Sequence, residues 1–181
     1  MKILVLTGSP HKHGTSALLA DKFIEGALRG NHTVKRIDCG FIEVAPCIGC
    51  DTCVENNNVC IYKDQELLVL KELLEADMVV FATPIYYFSI PAQLKRVIDR
   101  FYAINEVLMS KKLKVVLMTT CGDGNWVTEP TIGMFSCMCK YLGWEMVGRL
   151  HAEYVYTLED MRGKDYPDRA FQMGLDTMRY I

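Results

Sequence analysis

The sequence predicts a doubly wound α/β fold, a five-stranded parallel sheet with helices on both faces. Two patterns carry this reading. Short aliphatic runs stop at glycine or proline, as strands buried on both faces do, and stretches with apolar residues three and four apart fall between them. Strand and helix alternate along the chain, which implies one parallel sheet covered on both sides. Lys2 to Thr7 is nearly pure aliphatic and ends at Gly8, a buried strand. Thr15 to Leu28 reads as a helix, with stripes at Leu19, Phe23, Ala27 and at Leu18, Ile24, Leu28. Thr33 to Asp38 is short and more polar, as an edge strand should be. Gln65 to Leu74 is helical, and Met78 to Thr83 is a buried strand cut by Pro84. Pro91 opens a helix where a missing N–H costs nothing, with Leu94, Val97, Ile98 and Phe101 on its apolar face. Leu113 to Thr119 is another buried strand, and a helix, a strand and a helix follow at about 130–142, 146–156 and 166–179.

Composition narrows the function. The 181 residues carry 20 Lys+Arg against 22 Asp+Glu, are 50% apolar and have a formal charge of −2, which fits one ordered domain over 1–181. A near-neutral chain lacks the clustered basic charge of a general nucleic-acid binder. No apolar run approaches the roughly 20 residues of a membrane span, and the first aliphatic run is too short for a signal-peptide core. No nucleic-acid or membrane partner is expected, and the expected location is cytoplasmic. Eight cysteines in such a chain point to metal, redox chemistry or free thiols before disulfides.

Ligands of doubly wound sheets sit at the carboxyl ends of the strands. The first such loop, Gly8 to Ser16, offers hydroxyls at Ser9, Thr15 and Ser16, together with backbone N–H groups at a helix start. It has neither G-x-G-x-x-G nor G-K-[ST], so a dinucleotide turn and a Walker loop are both disfavoured. It suits a terminal phosphate monoester, as in FMN; equally, Thr15 and Ser16 could simply cap the helix. The loop from Ala82 to Pro91 brings Tyr86, Tyr87 and Phe88 to the same edge, and Thr119 to Gly124 adds a glycine-rich turn. An isoalloxazine ring needs a flat apolar slot with backbone donors and acceptors, which these loops can supply. The aromatics could also form a subunit contact.

With these residues in view, the chain resembles the flavodoxin-like NAD(P)H-dependent FMN reductase and iron–sulfur flavoprotein family over nearly its whole length. The first loop is similar to the pattern G-S-P-R-x-x-G-N-T, with His11 where the family usually has Arg and Thr15 where it has Asn. Thr83-Pro84-Ile85-Tyr86 resembles the T-P-[VI]-Y flavin loop, and Pro91 to Lys95 through Asp99-Arg100 resembles the helix after it. The resemblance implies a flavodoxin-like fold and FMN held by Ser9, His11, Gly14, Thr15, Ser16 and Ala17. It implies further flavin contacts at Pro84, Ile85, Tyr86, Tyr87, Phe88 and Ser89, and at Thr120, Cys121, Gly122 and Asp123. NAD(P)H is the implied donor, and a quinone, another flavin or a redox protein the acceptor. The cofactor carries the chemistry, so no protein acid or base is named catalytic.

Cys39 to Lys63 is long and irregular for a compact domain and holds five of the eight cysteines. Cys47-x2-Cys50-x2-Cys53-x6-Cys60 could ligate one iron–sulfur cluster, and its first three positions are similar to the bacterial ferredoxin run. Zinc fits less well, because structural zinc sites favour two separated C-x2-C pairs. The motif resembles the compact cysteine motif of iron–sulfur flavoproteins, which implies a [4Fe–4S] cluster beside the flavin edge. Oxidised pairs or free thiols are the alternatives. Cys137 and Cys139 are expected in the core, His13 and His32 at the surface, and Trp126 either at a substrate slot or in helix packing. An electron-transfer role for FMN plus cluster competes with the enzyme reading. A phospho-receiver is excluded, because Thr7-Gly8 and Thr83-Pro84 stand where its acidic residues would be. A homodimer or homotetramer is expected, with the cysteine loop, the Tyr86–Ser89 turn, Phe101 and Tyr102 near the subunit contact.

Overall fold

The computed structural model describes residues 1–177. In chain order the elements are β1 (Lys2–Thr7), α1 (Thr15–Arg29), β2 (Thr33–Asp38), α2 (Thr52–Glu55), α3 (Glu66–Glu75), β3 (Met78–Pro84) and α4 (Ala92–Arg100). Then come α5 (Asn105–Ser110), β4 (Lys114–Thr120), α6 (Glu129–Leu142), β5 (Glu145–Ala152) and α7 (Tyr166–Leu175). The strands form one parallel sheet in the order β2-β1-β3-β4-β5. Leu4 lies opposite Lys35 on one side and Val79 on the other, and Val79 lies opposite Val115. The chain leaves β1 toward one edge and returns to its other side as β3, so the switch point lies between their carboxyl ends.

Period-two alternation sends side chains to two separate cores. Leu4, Leu6, Val79, Phe81, Val115 and Leu117 face the layer of α3, α4, α5 and α6. Ile3, Val5, Met78, Val80, Val116 and Met118 face α1 and α7. Within α1 the stripe Leu19, Phe23, Ala27 is fully buried, whereas Leu28 of the second stripe is exposed. Helices α1 and α7 cross in backbone contact at Gly26 and Gly174. A Cβ on either would lie 2.0 Å from a carbonyl oxygen of the other helix, Phe171 or Phe23. No other residue allows that approach.

Some boundaries differ from expectation. The helices α2 and α5 are four and six residues long, too short to show apolar periodicity. The last strand stops at Ala152 rather than 156, because Tyr154 takes a left-handed conformation (φ 52°) that turns the chain. The final helix ends at Leu175; residues 178–179 of its expected span lie outside the described residues. Phe101 is buried in the core rather than exposed at a subunit contact, whereas Tyr102 beside it is exposed. Cys137 is exposed while Cys139 is buried. Two residues turn a helix by about 200°, so the pair cannot share a face. His32 is buried, its Nδ1 3.2 Å from the terminal amine of Met1. His13 is exposed, as expected.

Candidate functional site

A cleft of about 640 Å³ opens at the carboxyl ends of β1, β3 and β4, within the usual range for a small-molecule site. Its lining includes Ser9, His11, Gly14, Thr15, Ser16, Pro84, Ile85, Tyr86, Tyr87, Phe88, Thr120, Cys121, Gly122 and Asp123. Three segments that are far apart in sequence therefore meet at one place. Ala17 and Ser89 do not line it. Ala17 packs inward on α1, and Ser89 exchanges backbone hydrogen bonds with Tyr86 to close the turn. Val127, Val155 and Tyr156 also line the cleft and were not anticipated. The sequence places Val155 and Tyr156 at the end of a strand and gives Val127 no element of its own.

The loop after β1 is tied to its neighbours. Gly8 N–H donates to the Ala82 carbonyl at 2.9 Å, and the Thr15 hydroxyl donates to the Thr120 hydroxyl at 3.0 Å. Ser9 Oγ accepts the His11 N–H at 3.0 Å. The N-cap of α1 is Gly14, and no side-chain hydroxyl caps that helix. The capping alternative is thus not realised, and Ser16 reaches the cleft at the helix start, where an anion is favoured.

The opposite wall is aromatic. Tyr86 and Ser89 bracket a tight turn whose central residues, Tyr87 and Phe88, both have positive φ (49° and 67°). Such turns favour Asn and Gly, and bulky residues there cost of order 1–3 kcal/mol each. Trp126 is exposed and lies with its ring centroid 5.5 Å from that of Phe88. It packs against a residue of the cleft wall without lining the cleft itself. At the floor, the Cys121 thiol donates to the Asp123 carbonyl at 3.1 Å, and burial pushes its pKa up.

The cysteine loop forms a second place. Cys47, Cys50, Cys53 and Cys60 line one small cavity of about 20 Å³ with Tyr62, Arg100 and Tyr102. All four are free thiols. Hydrogen bonding from Thr52 pulls Cys50 below its usual value, while burial pushes Cys53 up. Cys39 is in the core, pushed up to about 12 chiefly by burial. Among the described residues, no three His, Cys, Asp or Glu side chains stand close enough to hold one metal ion. The cavity has room for about one water. The donor set suits iron–sulfur chemistry: the four thiols line one cavity, though not at metal-holding distance from one another. This cavity shares no lining residue with the cleft. The nine residues of α4, about 13 Å of helix, run from beside the Tyr86–Ser89 turn to Asp99 and Arg100 at the cavity. The two places are thus distinct in their lining, although the start of the cysteine loop touches the phosphate loop, where a Cβ on Gly40 would lie 2.5 Å from the Ser9 carbonyl oxygen.

Polar ties from α4 and from Asp64, just before α3, hold this loop. Arg96 donates to the carbonyl of Ile42 at 2.7 Å, and Arg100 donates to that of Ala45 at 2.8 Å. Arg100, 2% exposed, also pairs with Asp64 at 3.0 Å and lies 5.0 Å from the Tyr62 ring. Asp64 in turn accepts the Ala45 N–H at 2.9 Å. Beneath this pair lies Glu66, fully buried.

Comparison with known proteins identifies the lineage. The model of the family "NADPH-dependent FMN reductase" matches residues 1–146. The chain belongs to that family. An iron–sulfur flavoprotein of Methanocaldococcus jannaschii is 32% identical over 100 residues, 55% of this chain and 51% of that protein. One of Methanosarcina thermophila is 29% identical over 133 residues, 73% of this chain and 69% of the other. The chain spans about half the length of the first curated relatives it matches. Among solved structures, an NAD(P)H:quinone oxidoreductase from Methanothermobacter marburgensis superposes with a TM-score of 0.77 at 16% identity, covering 97% of this chain and 95% of that one. An azoreductase from Bacillus anthracis gives 0.74 at 17% identity over the full length of both. These likenesses show a shared flavodoxin-like fold. The family match ends before Val155 and Tyr156, so those two lining residues lie beyond it.

Proposed function

We propose that this chain is an FMN-dependent oxidoreductase that takes electrons from NAD(P)H and passes them to a quinone, another flavin or a similar acceptor. The observation that carries the reading is the composition of the cleft: hydroxyls and a helix start at one end, an aromatic wall at the other, backbone groups between. Ser9, His11, Thr15 and Ser16 would hold the phosphate. Pro84 to Phe88 and Thr120 to Asp123 would flank the ring. FMN, when bound, supplies the two-electron chemistry; the chain binds it, orients it and excludes water from one face. Family membership supports the same reading, as do relatives named for quinone and azo reduction. The test is fluorescence titration of apoprotein with FMN, for the wild type and for Ser16→Asp. An aspartate there suits the helix start but repels a phosphate dianion, so retention should fall at least a hundredfold with melting temperature preserved. Equal FMN affinity in the two proteins would sink the assignment.

A second reading is an electron-transfer iron–sulfur flavoprotein. It is favoured by four free thiols lining one cavity and by relatives bearing that name. Cys47, Cys50, Cys53 and Cys60 would be the ligands. Anaerobic reconstitution with iron and sulfide, read by iron analysis and EPR, decides it; less than one iron per FMN-loaded chain leaves the simple reductase. We also read the chain as a single domain working in the cytoplasm as a homodimer or homotetramer. Exposed Tyr87 and Tyr102 support the association. No helix among the described residues is long and apolar enough to cross a membrane.

A further inference from the structure

We infer that Tyr156 is a specificity-determining contact for the electron acceptor, its hydroxyl donating a hydrogen bond at the cleft mouth to an oxygen at the edge of a flat, uncharged, carbonyl-bearing molecule. The inference rests on the flavin reading of the cleft and adds to it a residue and a substrate class.

Three observations support it. First, the strap that carries Tyr156 is rigidly tied although the side chain is 87% exposed. Val155 N–H donates to the Cys121 carbonyl at 2.8 Å, and Tyr154 N–H donates to that of Asp123 at 3.2 Å. Asp160 accepts the N–H groups of Tyr156 at 3.0 Å and Thr157 at 2.6 Å. Lys164 donates to the carbonyls of Glu153 and Tyr154 at 2.9 and 3.0 Å. A backbone fixed by this many bonds presents the ring from a preformed base, so the ordering cost of a contact falls on the side chain alone. Second, Tyr156 packs over the glycine-rich turn; a Cβ on Gly122 would stand 3.4 Å from its ring. It shares the cleft with Tyr86, whose phenol is pushed up by burial and further by the nearby Tyr156. Three phenols, those of Tyr86 and Tyr87 on one loop and that of Tyr156 on another, thus meet at one opening, where Phe88, backed by Trp126, supplies an apolar flank. Third, the charges fit a neutral guest. Among the described residues lining the cleft, His11 is the only basic side chain, on the loop assigned to the phosphate, and Asp123 the only acidic one. An anionic acceptor would find no cation at the mouth. A quinone-like molecule would stack its face and offer its oxygens to the phenols.

The test uses FMN-loaded protein and duroquinone, a fully methylated quinone that thiols do not add to. Binding to the oxidised protein is measured by calorimetry without electron donor, then KM is measured with donor, using ferricyanide as the reference acceptor. Tyr156→Phe removes only the hydroxyl. It should weaken duroquinone binding about three- to tenfold, and raise its KM relative to that of ferricyanide by a similar factor. Tyr156→Ala, which also removes the ring, should weaken binding further. FMN affinity is titrated first in each protein. If wild-type protein fails to bind FMN, the flavin reading fails before any quinone is added, and this inference with it. If FMN binds and Tyr156→Phe holds duroquinone as tightly as wild type, the hydroxyl contact is refuted while the flavin reading stands.

Discussion

Replacing Glu66 with glutamine should change how stability depends on pH. In the folded chain this carboxyl is 0% exposed, and neither oxygen has a hydrogen-bond partner. Burial is the largest influence and pushes its pKa from 4.5 to about 9, with Arg100 and Arg96 pulling down and Asp64 pushing further up. The folded value lies above the unfolded one, so the unfolded chain loses its proton first. The group's contribution to stability is then fully present below pH 4.5 and is lost progressively as pH rises toward 9. The loss is about 1.4 kcal/mol per pH unit. From an unfolded value of 4.5, roughly 3.4 kcal/mol has gone by pH 7. That figure depends on the unfolded value alone, provided that the folded one exceeds 7. Glutamine has a similar shape and does not titrate. Urea unfolding of both proteins between pH 5.5 and 8 provides the assay, because other titrating groups cancel in the difference. The stability of Glu66→Gln minus that of wild type should climb by about 1.4 kcal/mol per pH unit. A difference flat to within about 0.5 kcal/mol across that range would refute the buried, protonated carboxyl.

Gly26→Ala should destabilise by about 3 kcal/mol or more, because its Cβ would lie 2.0 Å from the Phe171 carbonyl oxygen and force α1 and α7 apart; a urea midpoint close to wild type would contradict that crossing. Asp64→Ala should cost about 3–5 kcal/mol, since it leaves Arg100 buried without its partner and the Ala45 N–H without its acceptor. Burial pushes the Asp64 carboxyl up, but hydrogen bonds from Arg100, Ala45 and Glu66 outweigh it and hold the pKa below its usual 3.8. Its stabilisation is therefore present above that value and lost as pH falls through the lower folded one, so the variant's acid-unfolding limb should be shallower. Light scattering at micromolar concentration should give at least twice the 20.6 kDa chain mass; a monomeric mass would remove the proposed association.

Order along the chain was enough to read the sheet. A strand buried on both faces must be nearly all aliphatic, and Lys2–Thr7, Met78–Pro84 and Lys114–Thr120 announce themselves by that alone. The cleft was legible for the same reason: once strands are parallel, the loops after β1, β3 and β4 emerge at one edge whatever the details. The residues that sequence reasoning missed sit where long-range geometry decides. Tyr156 reaches the cleft only because Tyr154 turns left-handed and zips its strap onto Cys121 and Asp123, an arrangement with no local pattern. Ala17 and Ser89 belong to the right loops but point elsewhere, since neighbouring residues on a helix or a tight turn diverge. Spacing brought the four loop cysteines to one cavity, as a local motif can. Only the fold decided that this cavity stands at the far end of α4 from the cleft, and that Arg96, Arg100 and Asp64 hold the loop while Glu66 lies buried nearby. Those partners are separated by tens of residues, and the hydrogen bonds and desolvation that define them exist only after the chain has closed on itself.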